Sequence, residues 1–362
     1  MAYGTVNADV IGTSVAGSNL GAGDASLLKN RLINGAMIIN QRATSITATG
    51  YSVDRWKYTG SQSSKGTVAQ NTTAPAGFTN SLGFTSSSAY SVTSTDFFFL
   101  SQVIEGFNIA DLGWGTASAK TVTLSFQVYS SLTGTFGGVL TNGANNRTYP
   151  FTYSVASANT WTTISVTVAG DTTGTWATDN TAGLFVLFGL GCGSTYSGTA
   201  GSWSGGTYFS ATGATSVVGT NGATFYITGV QLEVGSSATG FEYRQYQQEL
   251  ALCQRYYQQW TGNGVNTQTI IGLGFQVSTT STAATVYSAV PLRTSPTVTF
   301  SNLIVSNSLS FDAAVSSITV TAFSSTSAYL SVITASAGGA GTAIRLSPTV
   351  STSGYFAYSA EL

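Results

Sequence analysis

Apolar and polar residues alternate with strand-like period along most of this chain, and in one stretch the period lengthens to that of a helix. Over 225–234, Phe225, Ile227, Val230, Leu232 and Val234 recur on one face, with a slip at Gly229 where a strand would carry a bulge. A Gly-Ser-Ser loop follows. The next stretch, 243–260, has no Gly or Pro and is rich in Gln, Glu, Leu and Arg, all good helix formers. Its apolar positions, Tyr243, Tyr246, Leu250, Cys253, Tyr257 and Trp260, are spaced 3, 4, 3, 4 and 3 residues apart, the rhythm of a coiled-coil seam. The spacing predicts a helix over 243–260 that joins two β domains. Its seam is expected to pack on copies of itself or on its own sandwich.

Before that helix, strands are predicted at 96–104, 121–129, 149–155, 160–168 and 182–190. In the second of these, Val122, Leu124, Phe126 and Val128 alternate with polar residues. Trp161, Ile164, Val166 and Val168 do the same in the fourth, with one irregular step. Gly, Ser, Thr and Asn turns separate the runs, and no helical pattern intervenes, which predicts a β-sandwich over 30–242. The Gly-rich loops over 194–206 and 213–222 are expected at its rim. After the helix, runs at 269–277, 285–292, 297–300, 318–323, 329–333 and 355–358 predict a second β-sandwich over 261–362. Residues 1–29 are small and polar, with sparse anchors at Val6, Val10, Ile11, Val15 and Leu20. They cannot bury a core alone, so they are expected to be an arm ordered against a partner.

Composition narrows the class. Charged residues make up 7% of the chain, against about 25% in an ordinary soluble domain. Hydrophobic residues make up 42%, with 18 Tyr, 19 Phe and 6 Trp, so a core can be built. The longest apolar run, 182–190, is broken by Gly183 and Gly189 and is far short of the about 20 residues a membrane helix needs. With 12 Lys and Arg and a net charge of −1, no basic patch is available to neutralise phosphates, so no nucleic-acid partner is expected. Cys192 and Cys253 lie in different elements and are expected to be reduced. The first residues, MAYGTVNADVIG, have neither the basic nor the apolar region of a secretory signal. A rigid surface of Ser, Thr, Asn and Gly suits an extracellular or virion protein.

The chain has no histidine, so no Ser-His-Asp triad, Cys-His dyad or His metal ligand exists. Gly189-Leu-Gly-Cys-Gly-Ser lacks the Lys and the following helix of a phosphate loop. Two carboxylates suffice for glycoside hydrolysis, and the loops offer Asp96, Glu105, Asp111, Asp171 and Asp179. Ordinary Asx-turns are the stronger explanation of Asp171 and Asp179, which sit among Thr and Gly; the same pair would suit a loop calcium. Glu233 and Glu242 are expected to pair with Arg244 or Arg55. No enzyme, cofactor or metal is expected. Glycan binding asks for flat aromatic faces among neutral hydrogen-bonding groups. Trp114, Trp176, Tyr196, Trp203 and Tyr208 lie in or beside Gly/Ser/Thr loops and are the candidates. The competing reading of each is that it caps the sandwich or fills a subunit interface.

Three further motifs stand out. Residues 30–42 read NRLINGAMIINQR, Asp54-Arg55-Trp56 follows, and 229–244 read GVQLEVGSSATGFEYR. Together with Glu249-Leu-Ala-Leu-Cys-Gln-Arg-Tyr-Tyr they resemble tail-fibre and appendage proteins of marine and cyanobacterial phages, over about 29–260. The resemblance implies a jelly-roll sandwich similar to carbohydrate-binding modules and a homotrimer. It further implies a virion location, attachment to other virion proteins through residues 1–29, and contact with a host surface glycan or protein by the distal β domain. A capsid-attached fibre or decoration protein with a structural role is the alternative, and a tailspike-like glycoside hydrolase the minor one.

Overall fold

A computed structural model describes residues 29–262, 269–307, 312–334, 339–349 and 353–362. The expected attachment arm lies, Lys29 apart, outside the described residues. The chain forms two compact units. The first runs to Ile38 and takes up Ser45–Gly50 and Lys57–Arg244. The second comprises Ile39–Thr44, Tyr51–Trp56 and Gln245–Leu362.

The strands of the first unit are, in chain order, β1 (Gly50–Tyr51), β2 (Lys57–Gly60), β3 (Gly66–Asn71), β4 (Ser81–Ser86), β5 (Phe97–Glu105), β6 (Val122–Ser130), β7 (Gly134–Asn142), β8 (Thr148–Val155), β9 (Thr162–Val168), β10 (Ala182–Cys192), β11 (Ser197–Gly198), β12 (Ser210–Ala211) and β13 (Thr224–Val234). One large sheet has the order β1-β2-β5-β10-β7-β8 and the other β3-β4-β13-β6-β9, an all-β jelly-roll arrangement of two layers. Phe98, Leu100, Leu184, Val186, Phe188 and Leu190 of the first sheet are buried, as are Val122, Leu124, Phe126 and Val128 of β6. Phe126 meets Phe188 edge-on at 4.9 Å. Ile164 and Val166 are only half-buried because β9 is an edge strand.

The bulge falls where the slip in alternation placed it. The β13–β6 register shifts between Thr228 and Gln231. Gly229 has φ +60, and a Cβ there would lie 2.6 Å from the Phe78 ring, so both backbone and space require glycine. Beside this bulge runs the segment that opens with Asn30. The Val230 amide donates to the Gly35 carbonyl at 3.0 Å. The Asn30 side chain accepts from the Leu32 and Leu232 amides, both at 3.0 Å, and donates to the Val230 carbonyl at 3.0 Å. Glu242 accepts from the Asn30 amide at 2.7 Å and pairs with Arg244 at 3.1 Å. The first and third motifs are thus one hydrogen-bonded clamp along β13. Glu233 departs from the expected pairing: it accepts from Gln231 and Thr239 instead of an arginine.

The second unit opens with α1 (Tyr246–Gln254), the one α-helix among the described residues, and it is half the expected length. The chain then turns into β14 (Tyr257–Thr261), which pairs with β22 (Tyr355–Ser359) through Tyr257–Ser359 to Thr261–Tyr355. Tyr257 and Trp260 therefore sit on a strand, and the seam of six aromatic and apolar positions is not one helical face. Pairing with a distant strand overrides the local helix preference of Gln258 and Gln259. Tyr243 precedes the helix and is 62% exposed, and Tyr246 is 55% exposed; Leu250 and Trp260 are half-buried, while Cys253 and Tyr257 are buried. Both cysteines are free.

The remaining strands are β15 (Gly272–Gln276), β16 (Ser281–Tyr287), β17 (Thr297–Ser301), β18 (Leu303–Ser306), β19 (Asp312–Ser324), β20 (Ser327–Thr334) and β21 (Ala343–Pro348). Six of them close a barrel in the order β15-β16-β20-β19-β18-β21, and β14-β22-β17 form a three-stranded sheet. Val286, Val305, Leu330, Val332, Leu346, Phe356 and Tyr358 fill the core. Closure leaves the barrel no free strand edge.

Asp54-Arg55-Trp56 belongs to this unit. Arg42 bridges Asp54 at 3.1 Å and Glu361 at 3.0 Å, and Arg55 pairs with Glu361. The Arg55 guanidinium lies 3.4 Å from the centre of the Tyr256 ring, and that of Arg42 lies 3.6 Å from the centre of the Tyr257 ring. Burial raises the Asp54 carboxyl to about 6, against the opposing pull of Arg42 and Gln41. A group whose pKa is raised on folding contributes stability that is complete below its unfolded value and is lost as pH rises through its folded one. Denaturant titrations should therefore show Asp54 favouring the fold at pH 5 relative to pH 7.5, with the difference reduced in Asp54→Asn.

Candidate functional site

The five aromatic candidates separate into two groups in the first unit. Trp114, Trp176 and Trp203 form a knot at the rim. Their rings pack edge-to-face: Trp114–Trp176 at 4.7 Å, Trp114–Trp203 at 5.3 Å and Trp176–Trp203 at 5.4 Å. Tyr149 adds a fourth ring, 5.3 Å from Trp203. Each indole N–H is spent on a backbone carbonyl: Trp114 on Lys120 at 2.7 Å, Trp176 on Thr173 at 3.3 Å and Trp203 on Ala169 at 2.8 Å. Trp114 and Trp176 are buried and Trp203 is half-buried. With faces covered and donors used, this knot has the character of a cap tying loops together.

Tyr196 and Tyr208 lie on the face of the β5-β10-β7 sheet that points away from the core. The strand pleat has a period of two, so Phe97 and Phe99 must oppose the buried Phe98. They join Phe185, Leu187 and Val139 on that outer face, with Tyr208 and Phe209 packed against them. The centre of the group is three rings in mutual contact: Phe97–Phe209 at 5.0 Å, Tyr196–Phe209 at 5.1 Å and Phe97–Tyr196 at 5.3 Å. All three are half-buried. Glycines set the geometry. A Cβ at Gly137 or Gly189 would come within 2.6 or 2.5 Å of the Ser210 Oγ, so their absence of side chains lets β12 lie on the sheet. A Cβ at either Gly198 or Gly206 would lie 2.4 Å from the Tyr208 ring, so both glycines close on that ring and leave Tyr196 and Phe209 the more available surfaces. Exposed Ser194 and Thr195 supply neutral hydroxyls beside them.

The loop carboxylates are all engaged. Asp96 accepts from Ser61 at 2.8 Å, from Tyr90 at 2.8 Å and from the Thr93 hydroxyl and amide at 2.7 and 2.9 Å. Burial opposes its charge, but these donors outweigh it and hold the carboxyl below its usual range. Asp171 takes a two-pronged Arg147 contact, both prongs 2.7 Å; this arginine and Thr173 outweigh burial and lower its pKa. Asp111 pairs with Arg31 at 2.8 Å. Asp179 closes a turn on Thr181, whose hydroxyl and amide lower its pKa. Glu105 is buried and has a partner. Among the described residues no three His, Cys, Asp or Glu side chains gather as a metal site, and no helix is long and apolar enough to cross a membrane. A cleft of about 360 Å³ near the rim is lined by Asn142, Asn146, Thr175 and Thr181 with small residues between them. Its Asn142 amide is already bonded to Asn146 and to the Thr175 carbonyl.

No family model matches the chain, and no curated protein matches it. Solved structures similar to it include tailspike protein 4 of bacteriophage CBA120, as its enzymatically active domain, at 12% identity and TM-score 0.34, covering 57% of this chain and 22% of that one. This chain thus spans about a fifth of that tailspike structure. TmCBM61, solved with β-1,4-galactotriose, is 10% identical with TM-score 0.30, covering 57% of this chain and 99% of that one. The family 11 carbohydrate-binding module of Clostridium thermocellum, solved with a mixed-linked tetrasaccharide, is 10% identical with TM-score 0.27, covering 54% and 97%. Likeness at this level carries no inference about ligand, which rests on the residues themselves.

Proposed function

We propose that this protein is a non-enzymatic, glycan-binding structural protein of a phage particle, a tail fibre that attaches to a host cell surface. The observation that carries the glycan reading is the half-open cluster of Phe97, Tyr196 and Phe209 on the outer sheet face. A sugar ring offers an apolar C–H face and a rim of hydroxyls. The cluster offers flat rings with neutral Ser194 and Thr195 hydroxyls alongside, and no charge that binding would have to strip of water. The virion location is supported by the three sequence motifs. An assembly of three copies would raise a modest single-site affinity through multivalency.

Glycan-array binding followed by calorimetry on the best ligand tests the site. Tyr196→Ala and Phe209→Ala should each weaken binding by about tenfold or more, with melting behaviour kept. Unchanged affinity in both variants would remove this face from the reading. Antibody labelling of intact particles tests the location: label confined to the capsid would overturn the tail assignment.

A further inference from the structure

We propose that the outer wall of the C-terminal barrel, formed by β15, β16 and β20, is an interface with a second copy of this chain. Most of the exposed large apolar side chains among the described residues gather there. Ile270, Leu273, Phe275, Tyr287, Tyr329 and Ile333 all face outward, with Tyr287 71% and Leu273 65% exposed. The strand register makes them one surface. Leu273 stands opposite Thr285, and Thr285 opposite Tyr329; Phe275 stands opposite Ala283, and Ile333 opposite Ser281.

The size of the surface selects the kind of occupant. Fully covered aromatic side chains bury about 150–250 Å² each, so these six partly exposed residues leave on the order of 700 Å² open. A monomer rarely leaves so large an apolar patch to water. A standard protein interface takes about 800 Å² from each partner, so the patch is of the right scale for one protein face. Its chemistry narrows the choice. Arg345, opposite Leu273 on β21, is the charged side chain facing out beside it, too little basic character for an anionic membrane surface. Thr285, Ser281 and the two tyrosine hydroxyls are few polar groups for a glycan of this extent.

Shape favours self-association. The patch holds both relief and recess: a groove of about 590 Å³, lined by Ile270, Gly272, Leu273, Phe275, Thr285 and Tyr287, lies on the same surface as projecting Tyr329 and Ile333. A face that carries its own knobs and hole can pair with a copy of itself. The barrel has no free strand edge, so the contact is face to face, with side chains of two sheets interdigitating.

Sedimentation and light scattering of the full chain at micromolar concentration provide the test. The native protein should have twice the monomer mass, because a self-complementary face closes with two copies. Leu273→Lys with Tyr287→Lys should return it to monomer, each change raising the self-association Kd by about tenfold or more. Far-ultraviolet circular dichroism should stay unchanged. Phe107→Lys, at an exposed apolar residue of the first unit, should leave the assembly intact. A monomeric native protein, or a double variant that keeps the native mass, would overturn the proposal. A monomer that floats with neutral phosphatidylcholine vesicles through Leu273 would also overturn it and give the face to lipid.

Discussion

Replacing Arg55 by methionine should cost the protein about 3–5 kcal/mol, the loss expected when one partner of a buried ion pair is removed. Arg55 and Glu361 are both almost fully withdrawn from water. Without the guanidinium, the Glu361 carboxylate keeps Arg42 but loses its nearer partner. The Tyr256 ring also loses the cation lying 3.4 Å from its centre. Backbone geometry adds to the cost. Arg55 has φ +71, a conformation unfavourable for a side-chain-bearing residue, and its contacts hold it there. Denaturant unfolding measures the loss directly. The pairing account makes a second demand: Arg55→Met combined with Glu361→Leu should recover part of the loss, because the stranded carboxylate is then gone. A double variant as unstable as the sum of its singles would show that the two groups act separately.

Replacing Trp114 by alanine should cost about 3–5 kcal/mol, the range for a large aromatic removed from a packed site. The ring is 6% exposed and touches both Trp176 and Trp203 edge-on, and its N–H satisfies the Lys120 carbonyl. Its loss leaves a cavity between two rings and an unpaired carbonyl. Near-ultraviolet circular dichroism should lose intensity as the three-ring coupling is broken. Trp203→Phe should cost less, since its ring is half-buried and phenylalanine keeps the edge contacts. A Trp114→Ala cost below about 1 kcal/mol would mean that the rim collapses readily around the gap and the knot is not a packed unit.

These two expectations lie in different parts of the record that sequence leaves. Alternation placed β5, β6, β8, β9, β10 and β13 of the first unit, β15, β17, β19, β20 and β22 of the second and the bulge at Gly229, because burial on one sheet face writes a period of two into the chain; β2, β3, β4, β7, β14, β18 and β21 fall outside the predicted strand runs. The helix was legible only in part. Its start and the burial of Cys253 follow from local pattern, but its end depends on β22, whose residues lie about a hundred positions later in the chain. No local signal announces that Tyr257 will find Ser359. The aromatic site was divided for a similar reason. Five rings in glycine-rich loops look alike in sequence, yet three lock together and two lie on a sheet. Phe97-Phe98-Phe99 in one strand already requires both faces of the sheet to be apolar. Glu233 and Glu242 were expected to pair with Arg244 or Arg55; Arg244 takes Glu242, while Arg55 takes Glu361.

That last pairing has a consequence for synthesis. The Arg42–Glu361 bond closes a sequence separation of 319 residues. Arg42 has Asp54 within reach early, but both it and Arg55 must wait for their Glu361 contact until residue 361 has left the ribosome. The first unit holds its own core, so it can form while the rest is still being translated. The second unit cannot settle until translation is almost over, and a message truncated by a few codons would yield a chain whose first unit is sound and whose second is never sealed.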